Sequence, residues 1–189
     1  MRVFLALVPD EKTRTQLASI SRKLRSHALG GNFTSTSNFH VTLVFIGDVS
    51  EETIAKLAAL VEKTQFFPFV IKTKQLGFFA TKGIKDILVW NIERQPDLSE
   101  LQRQLMSELR QMGFVLEERE YRPHFTLARK VHFPETFAMD LEHYPAATLY
   151  MKCDRMSLME SIRTNGKLTY REIMGHTMES PSTRLMKKK

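Results

Sequence analysis

Residues Phe39–Gly47 read FHVTLVFIG, and residues Pro123–Arg129 read PHFTLAR. Each is an apolar, β-rich run that carries one histidine and, two positions on, one threonine. The pattern His-apolar-Thr-Leu recurs at an interval of 84 residues, from His40 to His124 (124 − 40). Strand side chains alternate between faces. His40, Thr42 and Val44 are therefore expected on one face, with Phe39, Val41, Leu43 and Phe45 on the other. His124 and Thr126 likewise oppose Phe125 and Leu127. Each strand can bury its apolar face under a helix and turn its His-Thr face toward whatever lies across the sheet.

The surrounding sequence repeats with the motifs. An apolar strand over 2–8 precedes a helix opened by Pro9 and capped by Asp10, with Leu17, Ile20 and Leu24 on its buried stripe. The segment NFTSTSN reads as a polar loop into the first motif. Ser50 caps a second helix carrying Ile54, Leu57 and Val61 inward. The strand FFPFVIKTKQLGFF follows, and Gly83 separates it from a further strand, DILVWNI. Asp97 starts a third helix, with Glu100 completing a capping box. Its stripe is Leu98, Leu101, Leu105, Leu109 and Met112, and Gly113 stops it. The charged loop EEREYRP leads into the second motif. The remainder reads as two strands, ATLYMKCDRMSLMES and KLTYREIMGHTM, joined at Asn165-Gly166. Strand, helix, loop and His-Thr strand thus occur twice, with no Gly/Ser-rich linker between. The expected fold is α+β: two pseudo-symmetric lobes, each an antiparallel sheet with flanking helices, around a central cleft. They form one two-lobed domain over 1–189, with 180–189 a flexible basic tail.

Composition narrows the chemistry. A net charge of +7 and a pI near 9.6 favour polyanionic partners. Part of the charge is the terminal Lys187-Lys188-Lys189, but the body stays basic without it. The single cysteine, Cys153, rules out an internal disulfide and a cysteine-based zinc site; it reads as a buried structural thiol. No apolar run approaches the roughly 18–20 residues of a membrane helix. The start, MRVFLALVPD, runs straight into Asp10 and Glu11 with no small-residue cleavage site, so it reads as a strand. The chain is expected to be cytoplasmic and a monomer. His27, His132, His143 and His176 lack a threonine partner. Zinc on His40 and His124 would need a third ligand, and neither strand offers one, so neither metal nor cofactor is expected.

If a pseudo-twofold relates the lobes, the two His-Thr pairs meet across the cleft. Two imidazoles supply an acid and a base near neutral pH. Threonine hydroxyls donate to non-bridging phosphate oxygens, and Arg122 and Arg129 can neutralise the anion. Strict alternation puts Arg129 on the opposite face from Thr126 unless the strand ends near Ala128. Phe33 and Tyr121, in the loops before the motifs, are candidates for base stacking; Phe39 has core parity. Such a kit suits a phosphodiester.

HVTL and HFTL resemble the paired H-x-T-x signatures of the two-histidine phosphoesterase superfamily. RVFLALVPDE, HVTLVFIGDV, RPHFTLAR and LMESIRTNGKLTYREI are similar to the bacterial RNA 2′,3′-cyclic phosphodiesterases of the 2′-5′ RNA ligase family. The resemblance spans nearly the whole chain. It implies hydrolysis of 2′,3′-cyclic phosphates at RNA ends to 2′-phosphomonoesters, with weak reverse 2′-5′ ligation. His40 would be the proton donor, His124 the acceptor, and Thr42 and Thr126 the phosphate ligands. The symmetric motifs themselves give no basis for choosing donor from acceptor. Alternatives are a phosphodiesterase of 2′-5′ oligonucleotides or small cyclic nucleotides, or a non-catalytic RNA-end binding module.

Overall fold

Local capping chemistry decides where the helices begin. The computed structural model describes residues 1–81 and 84–178; Gly83 and the basic tail at 180–189 lie outside the described residues. Strand β1 (Arg2–Leu7) leads to helix α1 (Glu11–Arg25), whose Thr13 N–H donates to Asp10 Oδ1 at 2.7 Å. Strand β3 (Val41–Asp48) leads to α2 (Glu51–Lys63), capped by Ser50. Helix α3 (Pro96–Gln111) is capped by Gln95 rather than Asp97: Leu98 N–H donates to Gln95 Oε1 at 2.8 Å, with Pro96 in the first turn. Glu100 instead pairs with Arg103 on the surface. Leu98, Leu101, Leu105 and Leu109 are buried as expected, but Met112 lies in the cap and is 39% exposed. Gly113, at φ +89°, ends the helix.

Two segments differ from the sequence reading. Within NFTSTSN and the glycines before it, Gly30–Phe33 forms a short strand, β2, and Thr36–Asn38 a 3-10 turn. Gly31 is required there: at φ +136°, a Cβ would sit 2.7 Å from Val131 Cα. The run ATLYMKCDRMSLMES is two strands, β7 (Tyr150–Cys153) and β8 (Arg155–Thr164), split at Asp154. Its two parts pair with different partners, β7 with β4 (Phe69–Thr81) and β8 with β1. A pattern of alternating residues cannot reveal such a change of partner.

The strands run β7-β4-β5-β6-β3-β1-β8-β9, with β2 also on β6; β5 is Ile84–Ile92, β6 His124–His132 and β9 Lys167–Thr177. All the pairings are antiparallel. The order is symmetric about the centre, where β3 meets β6 through one pair, Val41 and Phe125. β1 flanks β3 as β5 flanks β6. β4 follows the first half of the repeat yet pairs with β5 of the second. β8 follows the second half and pairs with β1 of the first. The halves therefore interlock, which explains the lack of a linker. One apolar core runs under both, from Leu5 and Leu17 to Leu105 and Phe125. Asn165 and Gly166, at φ 51° and 77°, make the expected turn between β8 and β9.

Candidate active site

Each motif strand breaks its alternation at the same place. In β3, Leu5 pairs with Val44 and Ala6 with Thr42, leaving Leu43 as a bulge. In β6, Leu88 pairs with Ala128 and Val89 with Thr126, leaving Leu127 as a bulge. Both leucines are buried, and so are the residues that follow, Val44 and Ala128. Val44 thus belongs to the helix-covered core, not to the His-Thr face as alternation suggested. Phe45 moves the other way: it pairs with Phe4 and is 45% exposed, under the Arg2 guanidinium. The same bulge returns Arg129 to the face of His124 and Thr126. The repeat interval makes Phe45 and Arg129 equivalent positions (45 + 84 = 129).

Continuing the register of Val41 and Phe125 sets Thr126 across from His40 and Thr42 across from His124. The two imidazoles lie on one diagonal of this square and the two hydroxyls on the other. Each imidazole is held from behind in the same way. His40 Nδ1 is 2.7 Å from the Asn38 carbonyl, and His124 Nδ1 is 2.6 Å from the Arg122 carbonyl. With the proton on Nδ1, both Nε2 atoms are left as bases. His40 Nε2 meets Thr42 Oγ1 at 3.1 Å.

Burial sets the electrostatics. It depresses the His40 pKa to about 4, and the charges of His124 and Arg129 push the same way; the Asn38 carbonyl opposes them. His124 is also lowered, by burial first and then by Arg129, against its bond to the Arg122 carbonyl. Arg129 therefore acts electrostatically on both histidines. It also holds down the hydroxyl of Tyr170, which burial pushes up.

The other candidates separate. The Arg122 guanidinium, expected on phosphate, pairs with Glu120 at 3.2 Å on the surface, and its carbonyl orients His124. Phe33 lies beside Ala128, on the core side, with Arg25 over its ring. Tyr121 packs against the core and donates its hydroxyl to the Thr42 carbonyl at 3.0 Å. Phe39 is buried as expected. Burial pushes the Cys153 thiol up to about 12, consistent with a structural residue.

Sequence reasoning missed four residues. Asn38 is buried and uses every polar group: Nδ2 donates to Leu168 O, Oδ1 accepts from Tyr170 N–H, and its carbonyl holds His40. Phe4 and Tyr170 pack on the His40 ring at 4.8 and 4.9 Å, and Phe79 packs edge-on to His124 at 4.6 Å. Only pairing between distant strands brings the three aromatic rings there. Among the described residues, no group of three His, Cys, Asp or Glu is placed to hold a metal, and no helix is long and apolar enough to cross a membrane.

Comparison with known proteins places the chain among relatives. The family model described as the 2′-5′ RNA ligase superfamily matches residues 8–165. An RNA 2′,3′-cyclic phosphodiesterase from Thermotoga maritima is 30% identical over 166 residues, covering 87% of this chain and 88% of that protein. The crystal structure of TT0787 from Thermus thermophilus shares the fold with a TM-score of 0.77 at 20% identity, over 96% of this chain and all of that one. Apo LigT of E. coli gives 0.74 at 20% identity, over 95% of this chain and 98% of that one.

Proposed function

The chain belongs to the 2′-5′ RNA ligase superfamily, and from that premise we propose that His40 and His124 hydrolyse 2′,3′-cyclic phosphates at RNA ends to 2′-phosphomonoesters. The chain is a hydrolase of the 2′,3′-cyclic phosphodiesterase kind. The observation that carries the mechanism is the matched pair of imidazoles, each tied at Nδ1 to a main-chain carbonyl on one face of the sheet. The phosphate sits between Thr42 and Thr126, with the Arg129 guanidinium neutralising its charge. Water attacks phosphorus and gives a proton to His124 Nε2. The bond from phosphorus to O3′ breaks, and protonated His40 donates its Nε2 proton to that oxygen. The 2′ ester remains, and proton exchange with water resets both rings. Phe45, exposed on this face beside Phe4, is the residue offered to the base.

The depressed histidines give the pH dependence a sign. The profile of kcat/KM reports the free enzyme, with one limb near pH 4 from His40 and the other below 6.5 from His124. Its maximum is expected on the acid side of neutrality. A bound phosphate anion favours both imidazolium ions, so the kcat profile is displaced upward in pH. Steady-state rates from pH 4 to 9 check this; a kcat/KM maximum above pH 7 contradicts it.

The proposed mechanism needs no metal, so turnover of RNA with a 2′,3′-cyclic end is expected to persist in excess EDTA. Running 2′-5′-linked oligonucleotides and nucleoside 2′,3′-cyclic phosphates beside that RNA ranks the substrates. Faster turnover of either alternative reassigns the substrate. Tight RNA binding without turnover of any of them makes the chain a binding module. Supplying RNA with a 5′-hydroxyl tests the weak reverse 2′-5′ ligation.

A further inference from the structure

While β2 pairs with the far end of β6, the motif strands β3 and β6 meet along the sheet through a single residue pair, Val41 and Phe125. Beyond it, the carbonyls of both motif threonines are met by side chains instead of by a strand. Tyr121 Oη donates to the Thr42 carbonyl at 3.0 Å. Thr34 Oγ1 donates to the Thr126 carbonyl at 2.9 Å, and Thr34 N–H to the Leu127 carbonyl at 2.9 Å. The arrangement is reciprocal. Thr34 lies six residues before His40 but holds the motif of His124; Tyr121 lies three before His124 but holds the motif of His40. Each bond falls beside a bulged leucine, where the regular ladder is interrupted. We propose that Thr34 and Tyr121 are positioning residues that clamp each motif to the other half of the repeat and so set the separation of His40 from His124.

The inference rests on the two-histidine reading of this site. Neither clamp residue is assigned contact with substrate; each acts through the main chain of a threonine. A ligand that must contact both motifs at once is sensitive to their spacing, and displacement by about 1 Å costs up to roughly a hundredfold in rate. The spacing has a second readout, because the charge of His124 acts on His40. Arg129 acts on the same ring, and Tyr170 packs against it; neither residue is substituted in the variants.

Tyr121→Phe and Thr34→Val each delete one hydroxyl with little change in shape. The expected result is a fall in kcat of about ten- to a hundredfold with KM nearly unchanged, the signature of a lost transition-state interaction. Thr34→Ser restores the rate. NMR titration of the imidazoles supplies the test that a general packing role would not move. The shift in the His40 midpoint caused by His124→Gln is expected to shrink in either clamp background. Folded variants that keep wild-type kcat, or that lose kcat while the His40–His124 coupling is unchanged, overturn the proposal. If the wild-type chain turns over no cyclic phosphate, the functional reading fails, and the substrate-free titrations still decide the clamp. Should Tyr121→Phe not fold, Thr34→Val on the other motif carries both measurements.

Discussion

Alanine at His40 or His124 is expected to lower kcat on a 2′,3′-cyclic RNA end by about a hundredfold to ten-thousandfold. The two effects will not add: once one proton-transfer partner is gone, removing the second costs little more. The roles can be separated by the leaving group. A phosphodiester with a 4-nitrophenolate leaving group needs no proton from the enzyme, so it should recover much of its rate in His40→Ala and little in His124→Ala. The opposite pattern would exchange donor and acceptor. Burial lowers the His40 pKa to about 4, and a bound anion raises it again, which populates the imidazolium that donates the proton. Circular dichroism controls for the ring's packing against Phe4 and Tyr170.

The second large effect is expected at the threonines. Valine at Thr42 or Thr126 preserves the branched shape that suits a strand but removes the hydroxyl donor proposed to hold phosphate. Loss of one such donor costs about a hundredfold or more in rate. Serine should retain most activity. The two sites differ in one respect, because Thr42 Oγ1 also meets His40 Nε2. Thr42→Val is therefore expected to move the acid limb of the pH profile as well as the rate, whereas Thr126→Val lowers the rate with the limb in place. Steady-state kinetics across pH separates the two. Equal behaviour at both sites would mean that the His40–Thr42 contact carries no weight in solution.

The duplicated motif made much of the architecture legible. Two His-Thr strands at one interval, each behind a strand and a helix, imply a pseudo-symmetric sheet with a shared central face. The interval even extends to the helices after each motif strand: α2 begins at Glu51, and a short helix, Glu135–Met139, begins 84 residues later (51 + 84 = 135). Strand parity misled only where the backbone leaves a regular ladder. Bulges at Leu43 and Leu127 moved Val44 into the core and brought Phe45 and Arg129 to the site. The equivalence of Phe45 with Arg129 was present in the sequence as arithmetic, but its meaning required the bulge. Tyr170 and Phe79 had no local signature, because each reaches its histidine through the pairing of strands remote in sequence; Asn38 lies two residues before His40, but the bonds that fix its side chain come from the distant β9. Arg122, Phe33 and Tyr121 were singled out for nearness to the motifs along the chain. Their side chains are engaged with Glu120, the core side of β2 and the Thr42 carbonyl.

The most direct measurement is phosphorus NMR of an RNA oligonucleotide bearing a 2′,3′-cyclic phosphate, incubated with the wild-type chain and with His40→Ala and His124→Ala in EDTA. The account predicts that wild type replaces the cyclic resonance with that of a 2′-phosphomonoester alone, while both variants leave it essentially intact. A 3′-phosphomonoester product, or wild-type turnover by both variants, would contradict it.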